Sequence, residues 1–170
     1  KVYKDINYIC QKYIIKNLDI PKIEVSNKTL VIHLRSGDVF KYPVAEYVPN
    51  PLIYYQNLID QYEKTIIVTE KDMNNPLLEK LKDNSKVHIQ QGTVQQDFAT
   101  LIGAKNLATS GVGTFAISAA LCSKDIKNLY CSKLFLTTHL NYLMLKKSST
   151  KVYIVDFKEY IKIGDWKNKK

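Results

Sequence analysis

Arginine is almost missing from this sequence: Arg35 stands alone among 25 basic residues. Cysteine is scarce too. Cys10, Cys122 and Cys131 are odd in number and match no disulfide or zinc spacing, which excludes a stapled mini-protein and favours a reducing compartment. Glycine and proline number only 6 and 5, so collagen and low-complexity linkers are excluded. No apolar run approaches the roughly 18 residues that a membrane span requires. No Asp-x-Asp pair is present to seat a metal-bound diphosphate, and no G-x-x-x-x-G-K-[ST] loop or G-x-S-x-G elbow occurs. His33, His88 and His139 stand at no ligand-like spacing to one another or to the cysteines, so no metal site is expected.

What is present is globular. The chain is 45% hydrophobic and 24% charged over 170 residues, enough for a sizeable core, and it reads as one domain spanning 1–170. The net charge of +9 favours anionic partners: nucleotides, sugar phosphates, nucleic acid or an acidic membrane surface. A lysine-rich solvated exterior is the plain alternative. No signal peptide is read at the start, and a first residue of Lys1 rather than Met suggests a processed chain or a piece of a larger one. The unpaired cysteines favour a cytoplasmic or membrane-peripheral placement. The sequon Asn27-Lys28-Thr29 matters only if the chain enters a secretory lumen.

Strand and helix patterns alternate. Residues 1–28 carry an N-terminal helix, with Ile6, Ile9, Cys10, Tyr13 and Ile14 on one face and Asp5 as its cap. Thr29 to Arg35 is a buried strand ended by Ser36-Gly37-Asp38, and a loop rich in Tyr and Pro follows. Asn50-Pro51 opens a helix as cap and first-turn proline, with Leu52, Tyr55, Ile59 and Tyr62 on its apolar face. Further strands are expected at Thr65–Thr69, Val87–Ile89, Leu107–Thr109 and Leu129–Cys131. Helices are expected at Pro76–Leu81, around Val94–Ile102, and from Thr114 to about Cys122. Leu134–Leu145 reads as helical. The 151–170 region begins as a strand at Val152 and ends in a basic tail at Lys167, Lys169 and Lys170. The expected fold is α/β: a Rossmann-like parallel sheet with helices on both faces and a ligand at the carboxyl ends of its strands.

Three stretches carry chemistry. In His33-Leu34-Arg35-Ser36-Gly37-Asp38, His33 and Arg35 share a strand face, and the lone guanidinium sits where a strand stops. Its fork suits phosphate oxygens; a salt bridge is the structural alternative. Asp38 is placed to hold Arg35 or cap the turn. In Ser110-Gly111-Val112-Gly113-Thr114-Phe115-Ala116, glycines between a strand and a helix let backbone N–H groups approach an anion. The string also reads G-x-G-x-x-A. It lies late in the chain, however, and lacks the acid about 20 residues on that a dinucleotide site needs, so an NAD oxidoreductase is disfavoured. Asp97-Phe98 lies on the helix leading into that turn, where an acid in the first turn also suits the helix dipole.

Together these stretches resemble the fucosyltransferase superfamily. His33-Leu34-Arg35-Ser36-Gly37-Asp38 resembles its H-x-R-R-G-D signature, with Ser36 in place of the second arginine. Val68-Thr69-Glu70-Lys71-Asp72 resembles a second motif, with Lys71 where an acid is usual. Asp97 through Phe115 resembles the third, one residue longer and with glycines for serines. The resemblance covers residues 29–122. It implies the donor-binding, carboxyl-terminal half of a GT-B glycosyltransferase, with the acceptor half supplied elsewhere. The implied reaction is inverting and metal-independent, with no cofactor: a deoxysugar passes from a nucleoside diphosphate donor, GDP-fucose by default, to a glycan or glycoprotein acceptor. It places Arg35, His33 and Asp38 at the reaction and Arg35, Asp97, Phe98, Ser110, Gly113, Thr114 and Phe115 on the donor. The general base stays open, with Glu46 and Asp38 the nearest acids to the first motif. Two other readings also stay open: a non-catalytic nucleotide-sugar-binding domain that needs a partner domain, and a basic nucleic-acid-binding domain. The latter is disfavoured because the tyrosines read as helix-face core and no RNP-like signature is present.

Overall fold

The computed structural model describes residues 6–42, 48–72, 74–133 and 149–156. Among the described residues six strands run parallel: β1 Thr29–His33, β2 Lys64–Val68, β3 Val87–Gln90, β4 Asn106–Ala108, β5 Asn128–Ser132 and β6 Lys151–Val155. Their order across the sheet is β3-β2-β1-β4-β5-β6, the Rossmann-like arrangement. Strands that pair only with parallel neighbours need helical crossovers, and these cover both faces of the sheet.

Alternation along each strand divides the core. Leu30, Ile32 and Leu34 face α3 (Leu52–Asp60) and α4 (Pro76–Leu81), joined by Ile67, Ala108 and Tyr130. Val31, Val68, Leu107, Leu129 and Cys131 face α5 (Val94–Gly103) and α6 (Phe115–Cys122). β1 is buried at every position because both of its faces are covered, which is why Leu30, Val31 and Ile32 follow one another without a polar break. Each fully buried Leu or Ile contributes about 1.5–3 kcal/mol relative to exposure. The same alternation puts His33 and Arg35 on one face, as the sequence predicts, and that face is the α5/α6 side.

Local chemistry sets the helix starts. Thr93 and Gln96 form a reciprocal capping box on α5, and Asn75 accepts from Leu77 N–H ahead of Pro76 on α4. Asn50 departs from expectation. It does not cap α3; Pro51 occupies that position without a side-chain bond. The buried Asn50 amide instead donates to the Thr109 carbonyl at 2.8 Å, tying the start of α3 to the end of β4. A short helix, α2 (Asp38–Lys41), also begins the segment expected to be loop.

The first helix is the larger correction. Among the described residues of this segment, only α1 (Ile6–Ile9) is α-helical. A π turn over Cys10–Ile14 follows, with Ile15 N–H reaching Cys10 O, and then a 3₁₀ turn over Ile15–Asn17. The wider π turn breaks the 3.6-residue register that would align the apolar set. Of the five residues expected on one buried face, only Cys10 is buried. The Asp5 cap, the 134–145 helix, Glu46 and the continuation beyond 156 lie outside the described residues.

Gly103 ends α5 where a Cβ would run into the Ile23 carbonyl, so main chain meets main chain there. We expect Gly103→Ala to lower stability by about 1–3 kcal/mol, read as a lower urea midpoint at unchanged slope. An unchanged midpoint would show that the 20–25 segment yields freely.

Candidate functional site

The strand order reverses between β1 and β4, and a cavity of about 470 Å³ opens beside their carboxyl ends. His33 and Arg35 come to it from the end of β1 and the turn after it, and Val68, Thr69 and Glu70 from the end of β2 and the turn after it. Val94 and Asp97 come from the first turn of α5, and Gly113, Thr114 and Phe115 from the β4–α6 turn. Four stretches far apart in sequence thus meet on one wall.

Arg35 is the centre of this wall. Nη1 pairs with Glu70 Oε1 and Nη2 with Asp38 Oδ1, and the side chain is 28% exposed. A Cβ built on Gly113 would lie 3.7 Å from Arg35 Cδ and 3.9 Å from Nε, so the guanidinium stem runs along the glycine turn. Glu70 also accepts the Ser36 N–H through Oε2. The neighbouring asparagines complete the fastening. Asn74 exchanges two bonds with Gly37, at 2.7 and 2.9 Å, and Asn75 donates to the Arg35 carbonyl at 2.8 Å. Ser36 is fully buried and accepts from Asn75 N–H at 3.1 Å, so it serves as a latch between the two turns. The turn bends through Gly37 at φ 71°, a conformation side-chain-bearing residues rarely adopt.

The β4–α6 turn has two glycines at positive φ, Gly111 at 75° and Gly113 at 78°. They do different jobs. A side chain on Gly111 would strike Asn50, whereas Gly113 faces the cavity with ordinary contact distances and is constrained by its backbone angle. Thr114 precedes α6 without capping it, which leaves its exposed hydroxyl on the cavity wall. The first N–H groups of such a helix have no acceptor within the helix.

Asp97 accepts Gln90 Nε2 at 2.8 Å and Gly92 N–H at 3.0 Å, both on Oδ1. Phe98 and Ser110 lie off the cavity wall. Phe98 packs against Phe115 with ring centroids 5.3 Å apart, and Ser110 is buried, its hydroxyl donating to Val112 O at 2.7 Å. Asp38 borders the cavity only through its pair with Arg35. Asn74 and Asn75 are not singled out from sequence, and Glu70 is named only within the Val68–Asp72 stretch, without a role. Nothing local in the sequence indicates that the Asn75 amide reaches Arg35.

His33 is 3% exposed and packs its ring on Phe115 at 5.5 Å. Its Nδ1 is enclosed without a hydrogen-bond partner. Burial, and then the Arg35 charge, hold its pKa down to about 4. The ring is therefore neutral at neutral pH. Burial also raises Cys131 to about 12, and burial together with the adjacent Cys10 raises Cys122 to about 12, so these two thiols stay protonated and unreactive. Among the described residues, no group of three or more His, Cys, Asp and Glu is placed to hold a metal ion.

The lowered His33 pKa has a defined consequence. The unfolded chain takes up the proton near pH 6.5 and the folded one only near 4, so stability is full above about 6.5 and falls as pH drops towards 4. The loss is on the order of 3 kcal/mol at most. We expect the wild type to lose more stability than His33→Phe between pH 7 and 5 by chemical denaturation; parallel profiles would show the ring to be solvated.

Comparison with known proteins yields no matching family model, no similar curated protein and no similar solved structure. The chain itself shows a Rossmann-like sheet of the nucleotide-binding type, with a charged cavity at the point where its strand order reverses.

Proposed function

We propose that this cavity binds a nucleoside diphosphate sugar and that the chain transfers the sugar to a glycan or protein acceptor. The observation that carries the reading is the juxtaposition of Arg35 with the Gly113 turn at the switch point of the sheet. A guanidinium has five N–H donors, and Glu70 and Asp38 engage Nη1 and Nη2. The remaining donors, Nε among them, serve phosphate oxygens. Backbone N–H groups after Gly113 and the Thr114 hydroxyl complete an anion cradle at the start of α6. Asp97 keeps Oδ2 for a ribose hydroxyl or base N–H, and Phe115 supplies an apolar surface.

In transfer, the bond from the anomeric carbon to the diphosphate oxygen breaks as the acceptor hydroxyl oxygen attacks, and the hydroxyl proton is released to solvent. Negative charge then grows on the leaving diphosphate. A cation fixed beforehand stabilises that charge without reorganising, an effect commonly worth 10²–10³-fold per donor. Glu70 and Asp38 hold Arg35 in place, and His33 is a positioning residue that keeps Phe115 and the strand end in register. Fucose from a GDP donor is the transfer implied by the sequence resemblance, with the cavity in the donor-binding half of a GT-B enzyme.

Arg35→Lys keeps the charge and removes the fork. We expect at least about a tenfold loss of sugar transfer or donor hydrolysis at unchanged thermal stability. Unchanged turnover would remove Arg35 from the mechanism. Gly113→Val forces a β-branched residue to a φ of 78°, and we expect at least about tenfold weaker GDP binding by calorimetry. Wild-type affinity would remove the cradle. Tight donor binding with no turnover would make the domain a binding module.

A further inference from the structure

The opposite end of the sheet carries a different pattern. Each strand is entered through a lysine: in order across the sheet these are Lys86, Lys64, Lys28, Lys105, Lys127 and Lys151. Ladder bonds start at these residues, with Thr65 N–H to Lys86 O and Lys127 N–H to Lys105 O, both 2.8 Å, and Lys151 N–H to Lys127 O at 2.7 Å. At the roughly 4.8 Å strand spacing the row is about 24 Å long. Lys28 is paired with Glu63 at 2.8 Å. Among the described residues the other lysines of the row have no ion pair, and neither does Lys124. Lys105, Lys124 and Lys127 line a recess of about 380 Å³ with Asn27 and Ser149, against a single acid, Asp125.

An apolar surface adjoins this recess. Asn7 donates to Ser123 O at 3.2 Å and also bonds Leu121 O, which seats the 6–17 segment on the carboxyl end of α6, next to Lys124. Tyr8, Tyr13, Ile14 and Leu18 are 58, 55, 43 and 42% exposed. Lys12 lies over the rings of Tyr8 and Tyr13, at 5.3 and 5.2 Å.

We propose that this end of the molecule docks on an anionic lipid bilayer. The row and recess supply cations at headgroup level, and the 6–18 segment inserts tyrosine and isoleucine side chains into the interface. Charge complementarity selects a polyanion, and the apolar residues beside the lysines select a bilayer over a nucleic acid, which has no use for aliphatic side chains at its phosphates. Tyrosine, with an apolar ring and a polar tip, is suited to that boundary.

The test is co-sedimentation of the full chain with vesicles of phosphatidylcholine alone and of phosphatidylcholine with phosphatidylserine, at low and high salt. We expect binding to the anionic vesicles that weakens with salt. Lys105→Glu with Lys127→Glu should reduce partitioning at least about tenfold, and the exposed single change Lys124→Glu should reduce it severalfold. Tyr13→Ser with Ile14→Ser should weaken binding while leaving its salt dependence. Equal binding to both vesicle types, or none, overturns the proposal. So does tighter, salt-sensitive binding of a single-stranded oligonucleotide that survives Tyr13→Ser with Ile14→Ser, which would assign the row to nucleic acid. Self-association abolished by that double change would instead assign the apolar segment to a second copy, and also overturns the proposal.

Discussion

One guanidinium held between two carboxylates organises the ligand-facing end of this molecule. Arg35 leaves the central strand and meets Glu70 from the neighbouring strand and Asp38 from the turn that follows it. Without those partners a long side chain at a strand end would sample many rotamers and pay for its order only on binding. With them the ordering is completed during folding, so the cavity wall is pre-organised. The two asparagines after Glu70 extend the same constraint to the backbone of residues 35 to 37.

The fold was legible because this sheet is covered on both faces. Doubly buried strands need runs rich in apolar, β-branched residues, and Leu30–Ile32 and Ile66–Val68 are such runs inside β1 and β2. The lone arginine was legible for a compositional reason: a chain built on lysine has Arg only where a planar fork matters. What escaped was long-range or depended on backbone register. Glu70 sits 35 residues from its partner, in a stretch that reads locally as a strand end. Asn50 has every local mark of a helix cap, yet a buried carbonyl on another strand claims its amide. Ser110 stands in a glycine-rich turn but points inward to close it. The π turn after Ile9 is invisible to any reading that assumes 3.6 residues per turn, and it leaves side chains that pattern alone would bury facing water.

The two ends of the sheet differ in chemistry because a parallel sheet has polarity. All carboxyl ends lie on one side, where loops and helix starts converge, and all amino ends lie on the other. Mixed or antiparallel strands would scatter both sets of residues. Here glycines, a guanidinium and carboxylates gather at one end, and a row of lysines, of which Lys28 pairs with Glu63, lies at the other.

That polarity also fixes a distance. β1 is five residues long, which at about 3.3 Å per residue separates its ends by roughly 17 Å. Anything resting against the lysine end therefore stands about a strand's length from the cavity mouth, which opens the other way. A molecule reaching that mouth would come from the bulk phase or hang on a flexible tether long enough to curl around the domain's flank.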